Sequence, residues 1–210
     1  EPYLTLQKTY EAAQIRVFGE MVLKGHIYRG LKPVHWSPSS RTALAEAELE
    51  YPDGHTSPSV YAAFAAVELP DGLRDALKSQ GVELPAERAA LGQALQVAIW
   101  TTTPWTLPAN LAVSVNERLD YALADDGSGR LLLLAAELID SLTKTLDRPF
   151  TVQATVKGAQ LQGLIYRHPL LDRSSPVVIG GEYITTESGT GLVHTAPGHG
   201  VDDFHTGQKN

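Results

Sequence analysis

The sequence of 210 residues contains no cysteine, which excludes disulfide bonds and thiolate metal sites. A chain without cysteine also fits a reducing compartment. No stretch approaches the roughly 18 consecutive apolar residues of a membrane helix. The densest apolar run, Leu131 to Ala136, stops at Glu137. The first residues, EPYLTLQK, have neither the basic nor the apolar segment of a secretory signal, so no membrane contact is predicted.

Basic residues are also scarce, with 17 Lys and Arg against 24 Asp and Glu, giving a net charge of −7. This balance argues against a protein that coats long stretches of nucleic acid backbone. It leaves room for binding a short nucleic-acid end through stacking and base edges. The apolar fraction of 43% supplies enough material for a core, and the length suits one large domain with or without an appendage.

Common catalytic signatures are missing as well. The sequence has no GxSxG motif, no phosphate-binding P-loop and no GxGxxG after a strand. Two aspartates and three histidines near the C-terminal end raise the alternative of a metal site, but no HxH or HxxxH pair occurs. We therefore predict no metal and no cofactor.

The apolar pattern predicts many short strands with a few helices. A helix is expected from Leu6 to Gly25, followed by an irregular strand or hairpin in IYRGLKPVHW. RTALAEAELEY fits either a helix or a strand. Strands are predicted at 59–69, 94–103, 111–116, 121–126, 130–136, 150–158, 164–170, 176–185 and 189–197, and helices at 71–81, at 137–146 and at the start of VDDFHTGQKN. This series indicates a barrel or sandwich rather than a parallel α/β sheet.

The first motif is WTTTPWTLPAN, from Trp100 to Asn110. On a strand Thr101 and Thr103 share one face and Thr102 points to the other. The prolines then prevent regular strand pairing and leave backbone groups free for a ligand. Neutral hydroxyls suit hydrogen bonds to sugar hydroxyls, base edges or a water nucleophile. The alternative is an ordinary threonine-rich strand.

The second motif is GTGLVHTAPGHGVDDF, from Gly189 to Phe204. Gly189 and Gly191 would permit tight backbone geometry or close approach of a ligand. His194 fits either a catalytic residue or a core histidine with satisfied hydrogen bonds, and a carboxylate such as Asp202 fits a helix cap. His199, between two glycines, is expected to be solvated.

Together the two motifs resemble the inserted editing domain of the isoleucyl-tRNA synthetase family, and YEAAQIRVFGEMVLKGHIYRGLKPVHWSPSS with TALAEAELEY resembles the connecting segment before it. The related valyl and leucyl enzymes typically carry Thr-Thr-Arg-Pro at the first motif. The resemblance implies a mainly β fold with peripheral helices (α+β), a distorted closed β-barrel of the class I synthetase editing-domain type. It also implies a connecting helix and hairpin over 1–56 and an editing domain over 57–210, whose C-terminal part lies beyond the sequence.

The resemblance further implies a cytoplasmic, metal-independent deacylase. It would hydrolyse valine from isoleucine tRNA, with valyl-adenylate as a further candidate substrate. The catalytic residues would be Thr102, Thr103, His194 and Asp203, with a positioned water attacking the ester. Asp203 would pair with the α-ammonium of the substrate, and His194 would exclude the isoleucine side chain. The substrate-binding residues implied are Thr101, Trp105, Thr106, Gly191, His194 and Asp203. The implied partners are the aminoacylated 3′ end of isoleucine tRNA, its valine moiety and the catalytic domain of a parent synthetase.

Two departures from the family pattern bear on function. Many relatives carry a Cys-x-x-Cys zinc half-site where this chain has Ser37-Pro38-Ser39-Ser40, and a serine pair will not hold zinc. The HIGH and KMSKS signatures of amino-acid activation are absent, so the chain should not activate isoleucine by itself. A freestanding editing protein, a binding module for RNA ends without activity, and an inert fragment remain open alternatives.

Overall fold

The computed structural model describes residues 3–210, which form two compact units divided between Lys32 and Pro33. The first unit contains one helix, α1 (Lys8–Leu23), close to the prediction of 6–25. Gly25 ends it with φ of 76°, while its amide donates to Val22 and the amide of His26 donates to Met21. This is the glycine-dependent pattern that closes many helices. None of the side chains of α1 is buried. The domain boundary predicted at 56/57 stays a prediction.

The second unit, which the structure describes throughout, combines short strands with four helices. The strands are β1 (Trp36–Ser37), β2 (Thr42–Ala43), β3 (Val60–Glu68), β4 (Leu95–Thr101), β5 (Ala112–Val115), β6 (Asp120–Asp125), β7 (Leu131–Ala135), β8 (Thr151–Lys157), β9 (Ile165–Arg167), β10 (Ser174–Ile179) and β11 (Val193–Thr195). The helices are α2 (Asp71–Ser79), α3 (Arg88–Ala94), α4 (Ile139–Leu146) and α5 (Val201–Lys209). No helix among the described residues is long and apolar enough to cross a membrane.

The strands form one small and one large sheet. β1 and β2 make an antiparallel hairpin, and nine strands pair in the order β11-β5-β10-β9-β3-β4-β7-β6-β8. The pairs β10/β5 and β4/β7 are parallel and the others antiparallel, so the sheet is mixed. The fold is therefore α/β with one large mixed sheet, and the predicted abundance of short strands is confirmed.

The sheet curls, but its pairing stays open. The amide of Ala135 donates to the carbonyl of Thr190 at 2.7 Å, and the Tyr121 hydroxyl donates to the carbonyl of Gly191 at 2.8 Å. These bonds fasten the segment before β11 to the end of β7, on the other half of the sheet. Within residues 3–210 no strand pairing joins the two end strands β11 and β8. Closure into a barrel stays a prediction.

The core lies where β3, β4, β6 and β7 pack against helices. β4 buries Leu95, Val97 and Ile99, which alternate along the strand and therefore share one face, while Gln96 and Trp100 on the other face are half-buried. Leu73 and Leu77 of α2 and Leu142 of α4 are also buried. Each such side chain contributes about 1.5–3 kcal/mol through burial. This core fixes β4, whose last residue is Thr101.

Two local predictions differ from the structure. Helix α3 lies where no helix was predicted: seven residues follow Glu87, whose carboxylate accepts hydrogen bonds from Ala89 and Ala90, and lead directly into β4. The hairpin predicted in IYRGLKPVHW forms instead between β1 and β2, because Gly30 and Pro33 interrupt the earlier residues.

Candidate active site

The threonine run marks the point where the chain leaves the large sheet. Thr101 ends β4, and Pro104 begins a 3-10 turn that continues to Ala109. The Thr101 hydroxyl accepts a hydrogen bond from the amide of Thr103 at 3.0 Å and lies 3.3 Å from the Thr103 hydroxyl. The expectation that these two threonines share one side is confirmed. The carbonyl of Thr102 accepts from the Ser57 hydroxyl at 2.9 Å, which fixes the backbone between them.

The second motif supplies the opposite wall of a cavity of about 270 Å³. β11 carries His194 and pairs with β5, and the curl of the sheet brings it to the end of β4. α5 follows and carries Asp203 in its first turn. The cavity is lined by Trp100, Thr101, Thr102, Thr103, Thr106, Val193, His194, Ala196, His199 and Asp203. Six residues predicted from sequence thus meet in one place: Thr101, Thr102, Thr103, Thr106, His194 and Asp203.

Trp105 and Gly191 do not line this cavity. Trp105 lies on the turn beside it with 68% of its surface exposed. Gly191 has φ of 75°, and a Cβ at this position would come within 2.3 Å of the Cβ of Ala135. Its role in the structure is therefore to let the segment before β11 pack against β7. The substrate-binding roles of both residues stay predictions.

His194 is buried, and both of its ring nitrogens have partners. Nδ1 lies 2.8 Å from Nδ2 of Asn110, and Nε2 lies 2.9 Å from the Thr106 hydroxyl. The Asn110 amide also donates to the carbonyl of Ala112, which can only accept. The amide nitrogen therefore faces His194, so Nδ1 accepts and the proton of the neutral ring is on Nε2. His194 then donates to Thr106, whose hydroxyl donates to the carbonyl of Thr103 at 2.9 Å.

The surroundings of His194 keep the ring neutral. Burial lowers its pKa below the ordinary value, the carboxylate of Asp203 acts in the opposite direction, and His168 and His199 lower it further. A neutral ring with both nitrogens engaged has no free site for taking up a proton from water. The geometry therefore suits His194 to shaping the cavity. It agrees with the alternative that His194 is a core histidine with satisfied hydrogen bonds.

Asn110 and Tyr166 are site residues that sequence reasoning missed. Asn110 is completely buried, and its side-chain oxygen accepts from the Tyr166 hydroxyl at 2.5 Å. Tyr166, on β9, is itself buried, and burial raises its pKa above the ordinary value. The only signal in the sequence is a polar residue that closes the first motif directly before an apolar strand. Its partners Tyr166 and His194 are 56 and 84 residues away.

The turn between β9 and β10 contacts the segment that carries Asn110. The Arg173 guanidinium donates to the carbonyl of Asn110, and its Nη2 lies 3.5 Å from the carbonyl oxygen of Pro108. Nδ1 of the buried His168 accepts from the amides of Leu170 and Leu171, which closes the turn. Burial and the nearby Arg173 charge lower the pKa of His168, and the carbonyl of Leu107 partly offsets this. Tyr166 of β9 and Arg173 of the turn that follows thus both hold Asn110 in place.

Asp203 places a carboxylate at the edge of the cavity. Its Oδ1 accepts from the amide of Ala196 at 2.8 Å, so the carboxylate turns back toward β11. The expectation that Asp202 caps α5 is wrong, because the N-cap residue is Gly200 and no side chain makes a capping hydrogen bond at this end of the helix. Asp202 is exposed in the first turn, and His199 is exposed as predicted.

The residues present do not fit a metal. Among residues 3–210 no three His, Cys, Asp or Glu side chains are grouped as metal ligands. In the β1–β2 hairpin the Ser37 hydroxyl accepts from the amide of Ser40 at 3.3 Å and lies 3.2 Å from the Ser39 hydroxyl. Neutral hydroxyls engaged in closing a turn are not the thiolate or imidazole donors that zinc prefers.

Comparison with known families decides what kind of protein carries this cavity. The sequence matches the family described as tRNA synthetases class I (I, L, M and V) over residues 1–187. The chain belongs to the class I tRNA synthetases. Over all of its length it is 84% identical to an isoleucine–tRNA ligase of Parasynechococcus marenigrum and 78% identical to one of Prochlorococcus marinus. It spans 22% of the length of each. The predicted resemblance to the isoleucyl enzyme is confirmed.

Solved synthetase domains share the fold of this class I synthetase chain. The leucyl-tRNA synthetase domain GlLeuRS-CP1 has a TM-score of 0.58 at 15% identity, covering 70% of this chain and 58% of that domain. The editing domain of the cytosolic leucyl-tRNA synthetase of P. falciparum has a TM-score of 0.52 at 12% identity, covering 70% and 64%. At these identities the likeness concerns the fold alone. The fold with its mixed sheet is therefore similar to that of leucyl-tRNA synthetase editing domains.

The cavity of this class I synthetase chain offers a limited chemistry. Its polar groups are four threonine hydroxyls, the imidazoles of His194 and His199, the indole of Trp100 and the carboxylate of Asp203. The Thr106 hydroxyl donates to a carbonyl and lies beside a ring nitrogen that donates, so it has no base to activate it as a nucleophile. The hydrogen-bonding groups of this lining can orient a bound substrate and a water.

Proposed function

We propose that this chain hydrolyses the ester of isoleucine tRNA wrongly charged with valine, as the editing part of an isoleucyl-tRNA synthetase. Valyl-adenylate is a second candidate substrate. The observation that carries the proposal is the cavity in which Thr101–Thr103 face His194 and Asp203, in a chain so similar to isoleucine–tRNA ligases.

The need for such a site follows from the limits of binding selectivity. One methylene in a hydrophobic pocket changes affinity by only about 1–3 kcal/mol, and isoleucine against valine in isoleucyl-tRNA synthetase is the standard illustration of this limit. A second site can remove what the first wrongly admits. A site that destroys valyl esters must accept valine and refuse isoleucine.

Asp203 and the threonines would divide the work of holding the substrate. The Asp203 carboxylate would bind the α-ammonium group through a charge-assisted hydrogen bond. The hydroxyls and backbone of Thr101, Thr102 and Thr103 would place the terminal ribose, the ester and the attacking water. Catalysis would come from orientation and from stabilising the charge that develops on the ester, without a metal or cofactor.

His194 would set the size limit of the pocket. Its ring is fixed between Asn110 and Thr106 and faces the cavity, so it cannot withdraw to admit a larger side chain. We therefore assign His194 to exclusion of isoleucine rather than to proton transfer. Trp105, which is exposed, would help to shape the site of the terminal adenosine, on which its indole could stack.

The partners would be the aminoacylated 3′ end of isoleucine tRNA and the catalytic domain of the parent enzyme, in the cytoplasm. The exposed apolar side chains of α1, among them Ile15, Phe18 and Leu23, support contact with further protein. With a net charge of −7 the chain should bind free tRNA weakly.

The test is single-turnover deacylation of isoleucine tRNA carrying labelled valine. The chain should release valine, and Thr102→Arg should block the cavity and abolish release while circular dichroism shows an intact fold. ATP–pyrophosphate exchange with isoleucine should not occur. Binding of the charged tRNA without hydrolysis would replace the proposal with a module that only binds RNA ends.

A further inference from the structure

Gly200 lies against the carboxylate of Asp203. A Cβ built on Gly200 would lie 2.1 Å from Oδ2 and 3.1 Å from Cγ of Asp203, far inside van der Waals contact. The backbone of Gly200 is extended, with φ of −163° and ψ of 149°, so any residue could adopt it. The glycine is therefore needed for space and not for conformation.

Gly198, two residues earlier in the same loop, gives the contrast. A Cβ there would meet no atom within 4 Å. The space taken by Asp203 thus singles out Gly200 among the two glycines that flank His199. Because Oδ1 of Asp203 accepts from Ala196, the carboxylate is held between that amide on one side and the Cα of Gly200 on the other.

We propose that Gly200 is a positioning residue, and that its missing side chain makes the room in which the Asp203 carboxylate is held at the edge of the cavity. This inference rests on the proposed function, in which that carboxylate binds the α-ammonium of the substrate. A methyl group at position 200 would occupy the place of Oδ2. Since Oδ2 ends a rotatable side chain, the carboxylate should turn away while the loop keeps its course.

Gly200→Ala should therefore reproduce much of the defect of Asp203→Ala. Loss of a hydrogen bond to a charged group lowers the rate by about tenfold to a hundredfold. The loss should appear on valyl-tRNA in single-turnover deacylation. Gly198→Ala, the matched control, should keep the rate of the unchanged chain.

A double substitution separates positioning from a general structural role. If Gly200 acts through Asp203, adding Gly200→Ala to Asp203→Ala should cause no further loss, because no carboxylate remains to be displaced. Losses that multiply, or a Gly200→Ala variant with the unchanged rate, would overturn the inference. Circular dichroism and thermal unfolding of each variant show that the comparison is made between folded proteins.

A structural readout keeps the inference apart from the proposed function. In ¹H–¹⁵N NMR spectra, the amide of Ala196 should report its bond to Asp203 by a downfield proton shift that Asp203→Ala abolishes. The downfield shift should be lost in Gly200→Ala and kept in Gly198→Ala. If the unchanged chain proves unable to hydrolyse valyl-tRNA but the Ala196 signal behaves this way, the proposed function fails and the placement of Asp203 stands. A downfield shift that survives in Gly200→Ala refutes the placement.

Discussion

Replacing His194 with alanine should convert the cavity from one that refuses isoleucine to one that accepts it. His194 is 8% exposed, so its ring fills space in the interior wall that no neighbour fills without it. The space gained should admit the extra methylene of isoleucine. One methylene corresponds to a change in selectivity of about 10–200-fold, so hydrolysis of isoleucyl-tRNA should rise by a factor in this range relative to valyl-tRNA.

The fold should survive this substitution. The change removes two hydrogen bonds, each contributing about 0.5–1.5 kcal/mol, so the free energy of unfolding should fall by about 1–3 kcal/mol. Each partner keeps one hydrogen bond, because the Asn110 amide still donates to the carbonyl of Ala112 and the Thr106 hydroxyl still donates to that of Thr103. The second N–H of the buried Asn110 amide loses its acceptor, which places the cost toward the upper end of this range.

The assay is deacylation of valyl- and isoleucyl-tRNA by His194→Ala under single-turnover conditions. His205→Ala is the matched control, because His205 is an exposed histidine on α5 that does not line this cavity. If His194→Ala is folded and hydrolyses valyl-tRNA, yet cleaves isoleucyl-tRNA no faster than the unchanged chain, the imidazole does not set the size limit.

Three further predictions follow from the same geometry. Asp203→Asn removes the charge proposed to bind the α-ammonium, so hydrolysis of valyl-tRNA should fall about tenfold to a hundredfold, and a changed ratio between valyl- and isoleucyl-tRNA would contradict the proposed role. Tyr166→Phe leaves the buried oxygen of Asn110 without its donor, so chemical denaturation should show a free energy of unfolding lower by about 1–3 kcal/mol; an unchanged value would refute the bond. The pKa values of His194 and His168 are lowered in the folded state, so below a pH of about 6.5 the unfolded chain binds more protons and the free energy of unfolding should fall as pH drops toward 5. His168→Gln combined with His194→Gln should flatten that dependence, and a chain whose stability rises on acidification would refute it.

Most of the strands that were predicted correctly follow from patterns among a few neighbouring residues. The run of Thr101 to Thr103 closed by Pro104 indicates a strand that ends in hydroxyls, and the structure has β4 ending there. Alternation and turn residues likewise located most of the strands. The short helix α3 was not predicted, because its seven residues lead directly into β4. They are too few for the spacing of apolar residues to distinguish a helix from a strand.

The contacts that complete the site join residues that are far apart in the sequence, so local sequence patterns do not predict them. That His194 meets Thr106 depends on the curl of the sheet, which single-sequence reasoning does not supply. The same holds for Tyr166 and Arg173, which reach Asn110 from β9 and from the turn that follows it. The family resemblance named six of the ten residues that line the cavity, together with Trp105 and Gly191, which do not line it. The hydrogen bonds that support these residues became visible only in three dimensions.

The hydrogen bonds that join the first motif and β5 to β11 also bear on when the cavity forms during folding. The pair Thr106–His194 is separated by 88 residues, Asn110–His194 by 84 and Ser114–Thr195 by 81. Closing loops of this length costs chain entropy before any contact compensates for it, and such contacts slow folding. While the chain is being synthesised, β4 can pair with β3 before β11 and α5 exist. We therefore expect the cavity to form late in folding, when β11 and α5 dock against the strands that precede them.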